Sequence, residues 1–133
     1  MRKNNSIKKQ EQGINQRDYI PNLSQTNSYL RGGKIWKAET LWKFAKKKQY
    51  PVKDLPLWAI NIQDLPWRAG TLREFISECA AVHDSDLQYP IVLDDYGNVA
   101  DGLHRIAKAF LLKKKSIKAI RLLEMPKEDD FVK

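Results

Sequence analysis

Between positions 89 and 122 the hydrophobic pattern changes period several times in a short compass. Tyr89-Pro90-Ile91-Val92-Leu93 is a continuous apolar run of strand length, which predicts a buried strand. Asp94-Asp95-Tyr96-Gly97-Asn98 follows, with Asp, Gly and Asn supplying the left-handed and side-chain-bonded conformations that turns need. Val99-Ala100 starts a short returning strand. Asp101-Gly102-Leu103-His104-Arg105 then leads into a helix whose apolar face is Leu103, Ile106, Ala107, Phe110 and Leu111. Lys113-Lys114-Lys115 closes that helix at the end where cations suit its dipole. Ile117-Lys118-Ala119-Ile120-Arg121-Leu122 alternates as a strand. A chain of 133 residues, 42% of them apolar, has the length and content for one compact domain with its own core.

The remainder divides around this unit. Residues 1–33 are rich in Asn, Gln, Ser and Lys, their apolar residues show no period, and they end in Gly32-Gly33; they read as a basic polar arm, disordered or loosely docked. Residues 34–125 form the expected domain and 126–133 a polar, acidic tail. Ala38, Leu41, Trp42 and Ala45 fall at i, i+3, i+4 and i+7, which places one helical face toward a core, and Pro51 stops that helix. Residues 55–60 read as a short strand, with Pro56 near its start or on a sheet edge. Residues 62–70 form a loop. Thr71 and Glu74 make a capping box, and Leu72, Phe75, Ile76, Cys79 and Ala80 continue at helical spacing, so Cys79 is expected in the core as an unreactive thiol. His83-Asp84-Ser85-Asp86 matches no metal-ligand spacing and reads as the polar end of that helix.

Charge is unevenly placed. Residues 1–50 hold 12 Lys and Arg against 3 Asp and Glu, and residues 51–133 hold 12 against 13, giving +9 and −1 for the total of +8. A basic segment of this kind attracts DNA or RNA by counterion release, with Lys43, Lys46, Lys47 and Lys48 as candidate contacts and Tyr29, Trp36 and Trp42 as candidate stacking partners. A plainer account also stands: a solvated arm, lysines answering a helix dipole, and a Trp42 whose helical spacing puts it in the core. No apolar run approaches the ~18 residues of a membrane span, and no apolar stretch follows the basic N-terminus as in a secretory signal. A single cysteine excludes an internal disulfide and any multi-cysteine zinc site. A cytoplasmic protein without a membrane partner is expected.

The residues with the most chemistry are Asp101 to Arg105. A helix beginning near Leu103 turns its free N–H groups toward the preceding loop, an arrangement that suits an anion. Gly102 removes side-chain bulk, and His104 and Arg105 add donors, Arg with a fork that matches phosphate. Asp101 is placed to orient Arg105, to hold magnesium on a phosphate, or to accept a proton from a hydroxyl. The bland alternative is that Asp101 caps the helix, Gly102 serves the turn, and the two cations are solvated. Cations at a helix N-terminus are unfavourable by about 0.3–1 kcal/mol, which weighs toward an anion between them.

This stretch, with Gly97, Val99, the Asp-Gly-x-His-Arg box and Ile117-Lys118-Ala119, resembles the ParB N-terminal/sulfiredoxin superfamily. Residues 55–60 resemble its first strand, Leu65-Pro66-Trp67-Arg68 its proline-containing loop, and residues 71–82 the helix that follows. The resemblance spans about residues 52–123. It implies a small α+β domain, a mixed sheet of short strands packed with helices, that holds nucleotide phosphates at the box. Sulfiredoxins carry a cysteine where this chain has Leu103, so their chemistry is not expected. ParB proteins bind CTP and clamp DNA through a separate helix-turn-helix domain; in a chain of this length, with His104 where many of them have Arg, a full partition protein is not expected. The free-serine kinase branch is the most similar at the box. That likeness makes Asp101 catalytic and gives phosphate to Gly102, Leu103, His104 and Arg105, with Asp54, Asp64 and Arg68 as further candidates. The expected function is binding of ATP or CTP with magnesium, with ATPase or phosphotransfer activity. The alternatives are a DNA- or RNA-binding accessory protein without catalysis, and a fold member that binds only a protein partner.

Overall fold

The computed structural model describes residues 28–62 and 69–133. Within them lie seven strands and three helices: β1 (Ser28–Arg31), β2 (Lys34–Lys37), α1 (Ala38–Lys48), β3 (Lys53–Pro56), α2 (Leu72–Asp84), β4 (Ile91–Leu93), β5 (Val99–Asp101), α3 (Leu103–Leu111), β6 (Ser116–Arg121) and β7 (Asp130–Phe131). The architecture is α+β, with two sheets of short strands.

The larger sheet has the order β3-β6-β4-β5. β4 and β6 run parallel, joined through the β4–β5 hairpin and the crossover helix α3, and the other pairs are antiparallel. Side chains on successive strand residues point to opposite faces, and the two faces collect different partners. Val92, Ile120 and Leu122 pack on one side with Leu41, Trp42 and Ala45 of α1. Ile91, Leu93, Ile117 and Ala119 pack on the other with Ile106 and Ala109 of α3. The sheet is therefore a thin layer between two helices, buried on both faces, which is why β4 reads as an unbroken apolar run.

α1 follows its sequence pattern closely. Ala38, Leu41, Trp42 and Ala45 are its buried residues. It ends at Lys48, with Gln49 left-handed (φ 57°) and Pro51 soon after. The strand expected at residues 55–60 instead occupies Lys53–Pro56, and Leu57–Ala59 form a 3-10 turn. β3 is an edge strand, so the missing N–H of Pro56 leaves no ladder bond unmade in the sheet interior. Along α3, Ile106 and Ala109 are buried, whereas Phe110 and Leu111 of the expected apolar face are exposed.

The smaller sheet has the order β1-β2-β7. Its strands lie on both sides of the expected boundaries at 33/34 and 125/126. Ser28 to Arg31 pair antiparallel with Lys34 to Lys37 across Gly32-Gly33, whose positive φ values make the turn. From the other end of the chain, Ile35 pairs with Asp130 and Lys34 with Phe131. Trp36 Nε1 donates to the Pro126 carbonyl at 2.8 Å. Part of the arm and part of the tail thus belong to the folded unit, β1 held to β2 by a local turn and β7 held to β2 from far away in sequence.

Candidate functional site

Asp101 ends β5, Gly102 precedes α3, and His104 and Arg105 lie in its first turn. A register shift between Val92 and Leu93 sets the end of β5: Leu93 pairs with Val99 and Val92 with Asp101. This bulge puts Asp101 opposite Val92, on the α1 side of the sheet. There Asp101 Oδ2 accepts Trp42 Nε1 at 2.8 Å and Arg105 Nη2 at 3.1 Å. One carboxylate joins α1, β5 and α3. The Asp101 and Arg105 side chains are 11% and 12% exposed, and the guanidinium stands 5.7 Å from the Trp42 ring centroid. Arg105 Nε is buried without a hydrogen-bond partner among the described residues.

Gly102 has φ 111°, a conformation that disfavours any residue with a Cβ. A Cβ there would sit 2.5 Å from Ile91 Cγ2 and 3.2 Å from Arg105 Nη2. The absent side chain therefore makes room for β4 and for the arginine, a packing demand where the sequence suggested room for a phosphate. Asp101 does not cap α3. Its N-cap is Gly102, which has no side chain to make a cap bond, and its first turn holds no acid. α2 is the opposite case: Glu74 N donates to Thr71 Oγ1 at 3.1 Å, while Glu74 Oε1 accepts Gly70 N at 3.0 Å and Thr71 Oγ1 at 3.2 Å.

His104 points toward α2, where its Nε2 lies 2.9 Å from Glu78 Oε2, both side chains about a third exposed. One turn on, Lys108 Nζ donates to the carbonyls of His83 (2.8 Å) and Ser85 (2.6 Å) at the C-terminal end of α2. Arg105 and His104 thus leave the helix start in different directions, each with a carboxylate. Glu78 and Trp42, 26 and 59 residues from their partners, carried no local signal of this role.

Other candidates lie apart. Lys43 pairs with Glu39 at 2.6 Å, and Lys48 Nζ stands 5.6 Å from the Phe44 ring centroid. Lys46, Lys47 and Lys48 occupy the last turn of α1. Asp54 is exposed on β3, in register with Lys118. Asp64 and Arg68 lie outside the described residues, as does Leu65-Pro66-Trp67. Cys79 is exposed, not in the core.

A second polar centre, not anticipated from sequence, ties the small sheet to the large one. Asp94 is fully buried; its Oδ2 accepts Tyr29 Oη at 2.7 Å and Arg31 Nη1 at 3.0 Å, and its Oδ1 accepts the N–H groups of Tyr96 and Asn98 at 2.9 and 2.8 Å. Burial pushes the Asp94 carboxyl pKa up, but the bonds from Tyr29, Asn98, Arg31 and Tyr96 together outweigh it and hold the pKa below its ordinary value. Burial, and then the same bond seen from the phenol, drive the Tyr29 pKa far above its ordinary 10.0.

Comparison with known proteins returned no match among family models, curated proteins or solved structures. No helix of the described residues is long and apolar enough to cross a membrane.

Proposed function

We propose that this chain is a small ParB/sulfiredoxin-like domain that binds nucleotide phosphates, of ATP or CTP, at the start of α3. The observation that carries the reading is the uncapped first turn of α3, which holds His104 and Arg105 where an acid would be expected. Free N–H groups and a positive dipole end favour an anion there. The orphaned Arg105 Nε adds a buried donor whose unmet bond costs about 1–3 kcal/mol.

The roles within the box differ in this reading. His104 is the side chain with access to solvent, and the helix N–H groups are fixed by the backbone. Arg105 supplies field more than grip, because Asp101 and Trp42 hold its guanidinium in place. Asp101 is a positioning residue: a shift of its side chain would release Arg105. No group of three or more His, Cys, Asp or Glu side chains gathers among the described residues to hold a metal. With Asp101 Oδ2 already shared, we assign magnesium no site built by the protein and derive no step through it.

Calorimetric titration of the full chain with ATP, CTP and GTP, each with magnesium, tests this. Binding of one or more nucleotides is expected. His104→Ala should weaken it by about 1 kcal/mol or more, the scale of a hydrogen bond to a charged group. Arg105→Ala should cost about 1 kcal/mol of binding through the lost field, with some loss of stability because Asp101 keeps the Trp42 bond but loses its counter-charge. Arg105→Lys, which keeps the charge and gives up the fork, separates the two effects. If no nucleotide binds, or if the His104→Ala protein binds like the parent, the reading fails.

A further inference from the structure

The far end of α3 carries a different arrangement. The helix closes with the Lys114 N–H donating to the Ala109 carbonyl (2.9 Å) and the Lys113 N–H to the Phe110 carbonyl (3.0 Å). This double bond pattern places Lys113 in the left-handed region, φ 58°, where glycine is the usual residue. Lys113, Lys114 and Lys115 are exposed and form no ion pair among the described residues. A helix C-terminus presents roughly half a negative charge, so three lysines far exceed what the dipole uses.

Beside them stands Trp58, 85% exposed. It sits on the 3-10 turn that follows β3, between Leu57 and Ile60, which are both buried. The Leu57 N–H donates to the Lys115 carbonyl at 3.0 Å, and Pro56 is in register with Ser116. The turn is thus fastened to the end of α3 through backbone bonds. The indole is held out to solvent on a fixed base. Trp58, Lys114, Lys115 and Ser116 share an open cleft of about 520 Å³.

We propose that this cleft binds single-stranded nucleic acid, with an unstacked base lying on the Trp58 indole and the flanking phosphates on Lys114 and Lys115. Every base offers a π-face, so an aromatic platform with lysines at its edge takes a strand with little regard for sequence. A duplex keeps its bases stacked and offers none to the indole. The site is separate from the phosphate reading at the helix start: the nine residues of α3 put them roughly 13 Å apart along the axis.

The test is fluorescence anisotropy of labelled dT12 and rU12 with the full chain, over a range of salt. Binding of either strand supports the proposal, and the tighter one identifies its source. Trp58→Ala should weaken binding at least about fivefold, and Trp58→Phe should restore most of it. The double variant Lys114→Ala, Lys115→Ala should lower the slope of log affinity against log salt by about 1.4. Trp58 is exposed, so an unchanged melting curve is expected for its variants. No binding at low salt, unchanged affinity in Trp58→Ala, or equal affinity for a 12-base-pair duplex or for polyglutamate would each overturn it.

Discussion

Asp94 is the one buried charged side chain among the described residues, and its four hydrogen bonds come from β1 of the small sheet and from the turn between β4 and β5. Its carboxyl pKa is depressed, so the folded state favours the ionised form. That contribution is fully in place above about pH 5 and is lost as pH falls through and below the ordinary carboxylate range. Urea unfolding of the parent should therefore show stability declining in acid. Asp94→Asn should cost about 3 kcal/mol at neutral pH, the scale of breaking a buried pair, and should flatten the acid decline. An unchanged acid profile in that variant would place the titration elsewhere. The local part of this centre was readable: Asp94-Asp95-Tyr96-Gly97-Asn98 has the composition of a turn, and the Asp94 side chain bonds within it. The rest was not, because Tyr29 and Arg31 lie 65 and 63 residues away. The same holds at Gly102. The sequence marks a glycine before a helix, but only the position of Ile91 explains why a side chain is excluded.

Helical periodicity shows that a face is apolar; it does not show what covers the face. For α1 the two coincide, since β2 and the large sheet lie against it. For α2 they diverge. Leu72, Phe75 and Ile76 are 72%, 56% and 55% exposed, and Val82 is its one buried residue. The contacts that hold α2 come from Glu78 onward: the His104–Glu78 pair and the Lys108 bonds to the last carbonyls. The first turns rely on the capping box instead. Thr71→Ala should then cost about 1 kcal/mol, read as a fall in melting temperature. Cys79, on the exposed side, should react with a maleimide or disulfide reagent in the native protein at a rate close to that of a small free thiol. A rate that rises only on unfolding would return it to the interior. The capping box was legible because Thr71 and Glu74 are three residues apart. The shift of β3 toward Lys53 was less so, since its placement is set by pairing with β6.

At the scale of the molecule, the last segment of the chain returns to β2 and the start of α1. Asp129 Oδ2 accepts the Lys37 N–H at 2.7 Å and its Oδ1 accepts Thr40 Oγ1 at 2.9 Å, so a residue from the far end of the sequence caps a helix that has no cap of its own. The Asp129 N–H donates to the Ile35 carbonyl and the Val132 N–H to that of Gly33, both at 2.8 Å. Lys34 Nζ lies 3.4 Å from Glu128 Oε1. The segment after Pro126 is thus a strap across β2 and the start of α1. α1 in turn carries Trp42, and Trp42 holds Asp101 at the candidate site. Asp129→Ala removes the cap and its charge and should cost about 1 kcal/mol. Deleting residues 126–133 should cost more, because Trp36 Nε1 loses its acceptor and β2 its outer partner. If the strap supports the site through α1, the deletion should also weaken nucleotide binding more than Asp129→Ala does, at a temperature where both proteins remain folded. Equal binding by the two would confine the strap to stability alone, and would mean that the Trp42–Asp101–Arg105 junction keeps its geometry without it.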